Sequence, residues 1–132
     1  MFAADSLGAT GPSNAVITIT GPALNGGIPG PVDLAFDASG NLWVAVLALD
    51  KVVRFTADQL LASGEPVPAV EISGAAIEGP GALAFDAAGN LWIAATGPSD
   101  VVRYDASRLA ASTGMPAFHP APAFSPLYDA LP

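Results

Sequence analysis

The chain has 132 residues, of which 52% are hydrophobic and 12% charged, a balance that fits one packed domain and excludes an intrinsically disordered chain. Its net charge of −8, with Lys51, Arg54, Arg103 and Arg108 as the cations, disfavours nucleic acid and anionic membranes as partners, because both are held by basic surfaces. The absence of cysteine removes disulfides, thiol nucleophiles and Cys-ligated zinc. No apolar run approaches the roughly 20 residues that span a bilayer. No signal-peptide pattern opens the chain, so localisation is left open. Abundant Ala, Gly and Pro with a single Lys suggest a GC-rich bacterial source.

In chain order, residues 1–30 hold one outer strand, Ala15 to Thr20, followed by a loop, GPALNGGIPG, from Gly21 to Gly30. A repeat then begins. The run PVDLAFDASGNLWVAVLALDKVVRF from Pro31 returns 49 residues later as PGALAFDAAGNLWIAATGPSDVVRY from Pro80. Phe36, Asp37, Gly40, Asn41, Trp43 and Arg54 fall on Phe85, Asp86, Gly89, Asn90, Trp92 and Arg103. Internal periods of this length mark repeat architectures.

Residues 31–79 form one entire repeat. Its first strand spans Asp33 to Asp37. A turn follows in which Asp37 bonds the local backbone and Gly40 supplies positive φ. The second strand, Leu42 to Leu47, is apolar on both faces, as in the inner layers of stacked sheets. The third spans Lys51 to Thr56, and a short helical stretch covers Ala57 to Ser63. The fourth, Ala69 to Ser73, alternates Val70 and Ile72 with Glu71 and Ser73, which suits a strand with one wet face. Residues 80–116 repeat the first three strands without a clear fourth, and 117–132 form a Pro-rich tail.

Four short strands per repeat of this length predict an all-β fold of β-propeller blades, about two per chain. The phrases GPVDLAFDASGNLWVA and GPGALAFDAAGNLWIA resemble NHL-repeat propellers and, more broadly, the SMP-30/gluconolactonase superfamily. That resemblance implies a first strand lining a central channel and a fourth strand at the rim. A ring of six to eight blades needs roughly 300–400 residues. The expectation is therefore a ring completed by head-to-tail homo-oligomerisation, a trimer first and a tetramer next. Val16, Ile17, Thr18 and Ile19 are its closure strand, pairing with the third strand of the last blade around Val101 to Asp105. The rival expectation is an excised fragment that does not close.

The function expected is a non-catalytic scaffold for protein interaction or self-assembly. The alternative is a lactonase-like hydrolase or lyase using a divalent metal. Trp43 and Trp92 read as inter-blade packing, and Asp37, Asp86, Asn41 and Asn90 as turn residues. Arg54 and Arg103 are expected to pair with nearby carboxylates, the turn aspartates included. His119 is the single histidine and lies in the tail. The resemblance implies Glu, Asn and Asp cation ligands at inner-strand starts. Asp33 alone fits that pattern, its partner position being Ala82, so no cofactor is assigned beyond calcium or another divalent cation at Asp33. Any binding face should lie on Gly21 to Gly30, Leu47 to Asp50 and Thr96 to Asp100, which the resemblance puts on one side.

Overall fold

Two antiparallel sheets pack face to face in the computed structural model, which describes residues 15–110. The first sheet has the order β1 (Pro31–Phe36), β2 (Leu42–Val46), β3 (Lys51–Phe55), β4 (Val70–Ser73). The second has the order β5 (Pro80–Phe85), β6 (Leu91–Ala95), β7 (Asp100–Tyr104). A short helix, α1 (Ala106–Ala110), follows. Within each sheet every strand is hydrogen-bonded to its sequence neighbour, and all these pairs are antiparallel.

The 49-residue repeat is visible in the register. Ala35 lies opposite Trp43 and Trp43 opposite Arg54, as Ala84 lies opposite Trp92 and Trp92 opposite Arg103. The register shifts at Pro31/Asp33 and again at Pro80/Ala82. Proline has no N–H to give a ladder, which suits it to the start of a strand. β1, β2 and β3 each end one residue inside the bounds expected from the sequence, β4 starts one residue inside them, and β1 starts two residues earlier than expected, at Pro31. Leu47 leaves β2 because residues 47–49 close a 3₁₀ turn, with Asp50 left-handed at φ 53°.

Period-two alternation decides which side chains meet. Trp43, Ala45, Val52, Val70 and Ile72 lie on one face of the first sheet. They pack on Leu83, Leu91, Ile93, Val102 and Tyr104, from the opposite face of the second. Trp43 is 1% exposed and meets the Phe85 ring edge to face at 5.9 Å. Such a contact contributes about 0.5–1.5 kcal/mol beyond the area buried. Ile77, in the 3₁₀ turn after β4, and Leu109 on α1 close the margins of this core. On its other face the first sheet buries Val44, Val46, Val53 and Phe55 beneath Ile19, Ala23, Leu24 and Leu60.

The segment Ala15 to Thr20 does not form a regular strand. Thr20 N donates to Gly64 O at 2.9 Å, Gly64 N donates to Thr18 O at 3.1 Å, and Ile19 forms a single parallel bridge to Gly64. The tail 117–132, the end of the second repeat beyond residue 110, and His119 lie outside the described residues.

Replacing the fully buried Ile72 by Ala removes most of a core side chain at the sheet–sheet contact. It should lower stability by about 2–5 kcal/mol, read from a urea melt followed by tryptophan fluorescence. Leu61→Ala, at an exposed site, should change the same melt by less than about 0.5 kcal/mol.

Candidate functional site

The recurring polar residues form two copies of one bracket. Asp37 Oδ1 accepts from Ser39 N at 2.9 Å and Asn41 N at 3.0 Å, and its Oδ2 accepts from Asn41 Nδ2 at 3.1 Å and Trp43 Nε1 at 3.0 Å. Asp86 repeats the set with Ala88 N at 3.0 Å, Asn90 N at 3.0 Å, Asn90 Nδ2 at 3.1 Å and Trp92 Nε1 at 2.9 Å. Gly40 and Gly89 allow the turn to close, with φ of 82° and 84°. Asn41 Oδ1 then accepts from Ala57 N, and Asn90 Oδ1 from Ala106 N, both at 3.0 Å. Each bracket thus ties the first hairpin of its repeat to the chain that follows the third strand.

A carboxylate offers about four acceptor positions, and each of these two uses four. At Asp37, burial pushes the carboxyl upward, but the bonds from Trp43, Asn41 and Ser39 outweigh it and leave the group below the ordinary 3.8. At Asp86 the bond from Trp92 Nε1 leads, aided by Asn90 and Ala88, and the carboxyl falls to about 2. A carboxylate so committed is a poor proton acceptor near neutral pH and serves as a structural anion. Burial pushes the Tyr104 hydroxyl up to about 12.

Arg54 differs from its expected role. Its guanidinium stacks over the Trp43 ring at 5.7 Å from the centroid rather than on Asp37, whose oxygens the ring nitrogen and the turn already occupy. Arg103 stacks on Trp92 at 5.8 Å and also reaches a carboxylate, Asp105 at 3.2 Å rather than Asp86. Stacking and ion pairing draw on the planar face and the edge of the same guanidinium.

Asp33, the candidate cation ligand, accepts from Leu83 N at 2.7 Å across the two sheets. A hydrogen bond to a charged group is worth about 1.5–3 kcal/mol net. Among the described residues no group of three or more His, Asp or Glu converges as a metal site. The expected loop face is partly assembled. Leu47 N donates to Gly30 O at 3.3 Å, Ala48 N to Pro29 O at 3.2 Å, and Thr96 N to Gly79 O at 2.9 Å. Sequence reasoning missed Asp50, whose Oδ1 accepts from Gly79 N at 2.8 Å and links these loops between repeats. Its repeat partner is Ser99, which shares the left-handed backbone, at φ 63°, but not the charge. Identity at the 49-residue offset could not expose a residue used once.

The most functional-looking surface is a pair of apolar faces whose repeat partners are buried. Val52 is 0% exposed and Val101 is 59% exposed; Leu83 is 8% exposed and Leu34 is 57%. Phe85 packs on Trp43, whereas Phe36 is 59% exposed. Pro80 is buried and Pro31 exposed. Identical residues differ here because the described residues make one junction between repeats.

In comparisons with protein-family profiles and with curated proteins, the chain matches none.

The depressed carboxyl of Asp86 carries a pH dependence of defined sign. Its folded-state value lies below 3.8, so its contribution is present above pH 3.8 and is lost as pH falls toward about 2. Thermal melts from pH 7 to pH 2 should show a fall across that window. Asp86→Asn should melt lower at pH 7, because an amide has one acceptor oxygen and its NH2 must then face either the Ala88 and Asn90 backbone N–H groups or Trp92 Nε1 and Asn90 Nδ2, and should show a shallower fall below pH 4.

Proposed function

We propose that this chain is a non-catalytic scaffold of the NHL-like β-propeller kind, acting through the stacking of its repeats on those of further copies. One observation carries this: each face of the sheet–sheet junction has a counterpart at an opposite end of the described chain that leaves large apolar side chains exposed, Leu34 and Phe36 at one end and Val101 at the other. The face with Leu34 and Phe36 is the counterpart of the face with Leu83 and Phe85, which packs on Trp43. The face with Val101 and Trp92 is the counterpart of that with Val52 and Trp43. Two such faces on one protomer are complementary to each other rather than to themselves. They therefore support a head-to-tail contact, which closes into a ring when its rotation allows.

The polar chemistry supports the same reading. The carboxylates that recur in the repeat, Asp37 and Asp86, have their acceptor positions filled by turn and indole donors. Asp33 is engaged by a backbone N–H of the adjoining sheet. These residues hold hairpins and junctions together. With four strands to a blade and about two blades per chain, a trimer gives six blades and is the favoured closed form, a tetramer of eight the next.

Light scattering on the purified 132-residue chain should give a mass near three or four times 13.1 kDa. Phe36→Asp and Val101→Asp, each placing a charge in the proposed junction, should each return the protein to one-copy mass with the fold intact by circular dichroism. A compact folded monomer in the parent protein overturns the proposal.

A further inference from the structure

The segment before β1 copies the outer part of the first sheet, at an offset of its own. Ile19, Ala23 and Leu24 stand 53 positions before Ile72, Ala76 and Ile77. Ile19, Ala23 and Leu24 pack on Val44, Val53 and Phe55 of the first sheet. Ile72, Ala76 and Ile77 pack with Ile93, Val102 and Tyr104 of the second, which are the repeat partners of those three. The backbone agrees. Gly21 and Gly74 have φ of 113° and 128°, and the N–H of Leu24 and of Ile77 donates to the Gly21 and Gly74 carbonyl at 3.0 and 3.1 Å. The segment therefore sits on the first sheet as β4 and its following turn sit on the second.

β4 is a fourth strand. It is hydrogen-bonded to β3 with Arg54 opposite Val70, Val53 opposite Glu71, Val52 opposite Ile72 and Lys51 opposite Ser73. A segment in the equivalent place calls for three strands of the β1–β3 kind beside it. Its described ladder bonds go instead to Gly64, and a groove of about 520 Å³ borders it, lined by Ile19, Thr20, Leu24 and Pro31 among others. The unit β5–β7 has the required three strands in the required order, and it presents the exposed Val101 on β7.

Resting on the stacking proposed above, we infer that residues 17–20 of one copy form the fourth strand of the β5–β7 sheet of another copy. The β3–β4 pairing, carried over by the two offsets, sets an antiparallel register. Ile17 lies opposite Arg103, Thr18 opposite Val102, Ile19 opposite Val101 and Thr20 opposite Asp100. In this register Ile17 and Ile19 point to the face that the junction buries, and Thr18 and Thr20 point to the other. The contact continues an interface that the chain already makes once, between its own two sheets. It also adds main-chain bonds to side-chain packing, as strand addition does at other sheet edges. At the 49-residue spacing the chain's own counterpart of β4 is His119-Pro120-Ala121-Pro122. Its two prolines lack the N–H that a ladder needs, which favours the strand from a second copy.

The chain has no native cysteine, so pairs of single-cysteine variants report this contact directly. Thr18→Cys and Val102→Cys proteins are mixed under oxidising conditions, as are Ile19→Cys and Val101→Cys, so that both kinds of antiparallel pair are sampled. Mass is measured on the reduced samples. At least one mixture should become mostly a covalent two-chain species on a non-reducing gel. Val16→Cys mixed with Val102→Cys, out of register, should stay below a tenth of that yield. An assembled protein that forms no in-register disulfide overturns the strand assignment and leaves stacking standing. A double variant, Thr18→Cys with Val102→Cys, that closes its disulfide within one chain also overturns it. A monomeric mass removes the stacking itself.

Discussion

The junction between the two sheets is the contact on which the rest of the structure depends. The facing apolar sides of the two sheets are buried against each other, and an apolar sheet face must pack on another element to leave water. The first sheet supplies Trp43, Val52 and Ile72, and the second supplies Leu83, Ile93 and Tyr104. Shape is fixed by the edge-to-face contact of Trp43 with Phe85, and register by the Asp33 carboxylate on Leu83 N. The apolar area provides most of the stabilisation, because burial acts at every atom of the contact. The charged hydrogen bond from Leu83 N to Asp33, with that from Gly79 N to Asp50, fixes how one repeat lies along the other. The Asp33 bond is used once, since the partner position of Asp33 is Ala82.

The Asp–Asn–Trp brackets make that junction possible. A tryptophan in a sheet face must place its N–H as well as its ring, and a buried indole N–H without an acceptor is costly. Asp37 and Asp86 meet this need from the turn four residues before Asn41 and Asn90. The same carboxylates close the hairpins, so turn geometry and ring position are set by one group. Arg54 and Arg103 lie over the other side of each ring. Each tryptophan is therefore held at its edge and on one face by residues of its own repeat.

Equal residues with unequal burial form the most informative pattern. Leu34 and Leu83, like Val52 and Val101, have the same identity and the same place in their sheets, yet one of each pair is exposed. Large exposed apolar side chains are unremarkable singly, but here they fall on two opposite faces. The chain around them is acidic, with few cations to contribute to a polar partner surface. In the stacking proposed above, a partner bearing the same repeat matches both faces without new chemistry.

The sequence by itself determined the period, the strand order within each repeat and the hairpin turns. These are local properties: alternation over five or six residues, and the Asp-x-x-Gly-Asn turn with glycine at positive φ. The helical stretch after the third strand of the first repeat was legible as well, and residues 58–61 form a 3₁₀ turn there. Tertiary structure decided what depends on which sheet lies against which. It exposed Phe36 and covered Phe85, turned Arg54 onto Trp43 instead of Asp37, and bound Ala15 to Thr20 at Gly64. It also gave Asp33 and Asp50 to the junction. A repeat assigns the same environment to every copy, because it records what copies share. Burial and long-range bonding depend on what stands beside each copy, and that differs between the two ends of a finite stack.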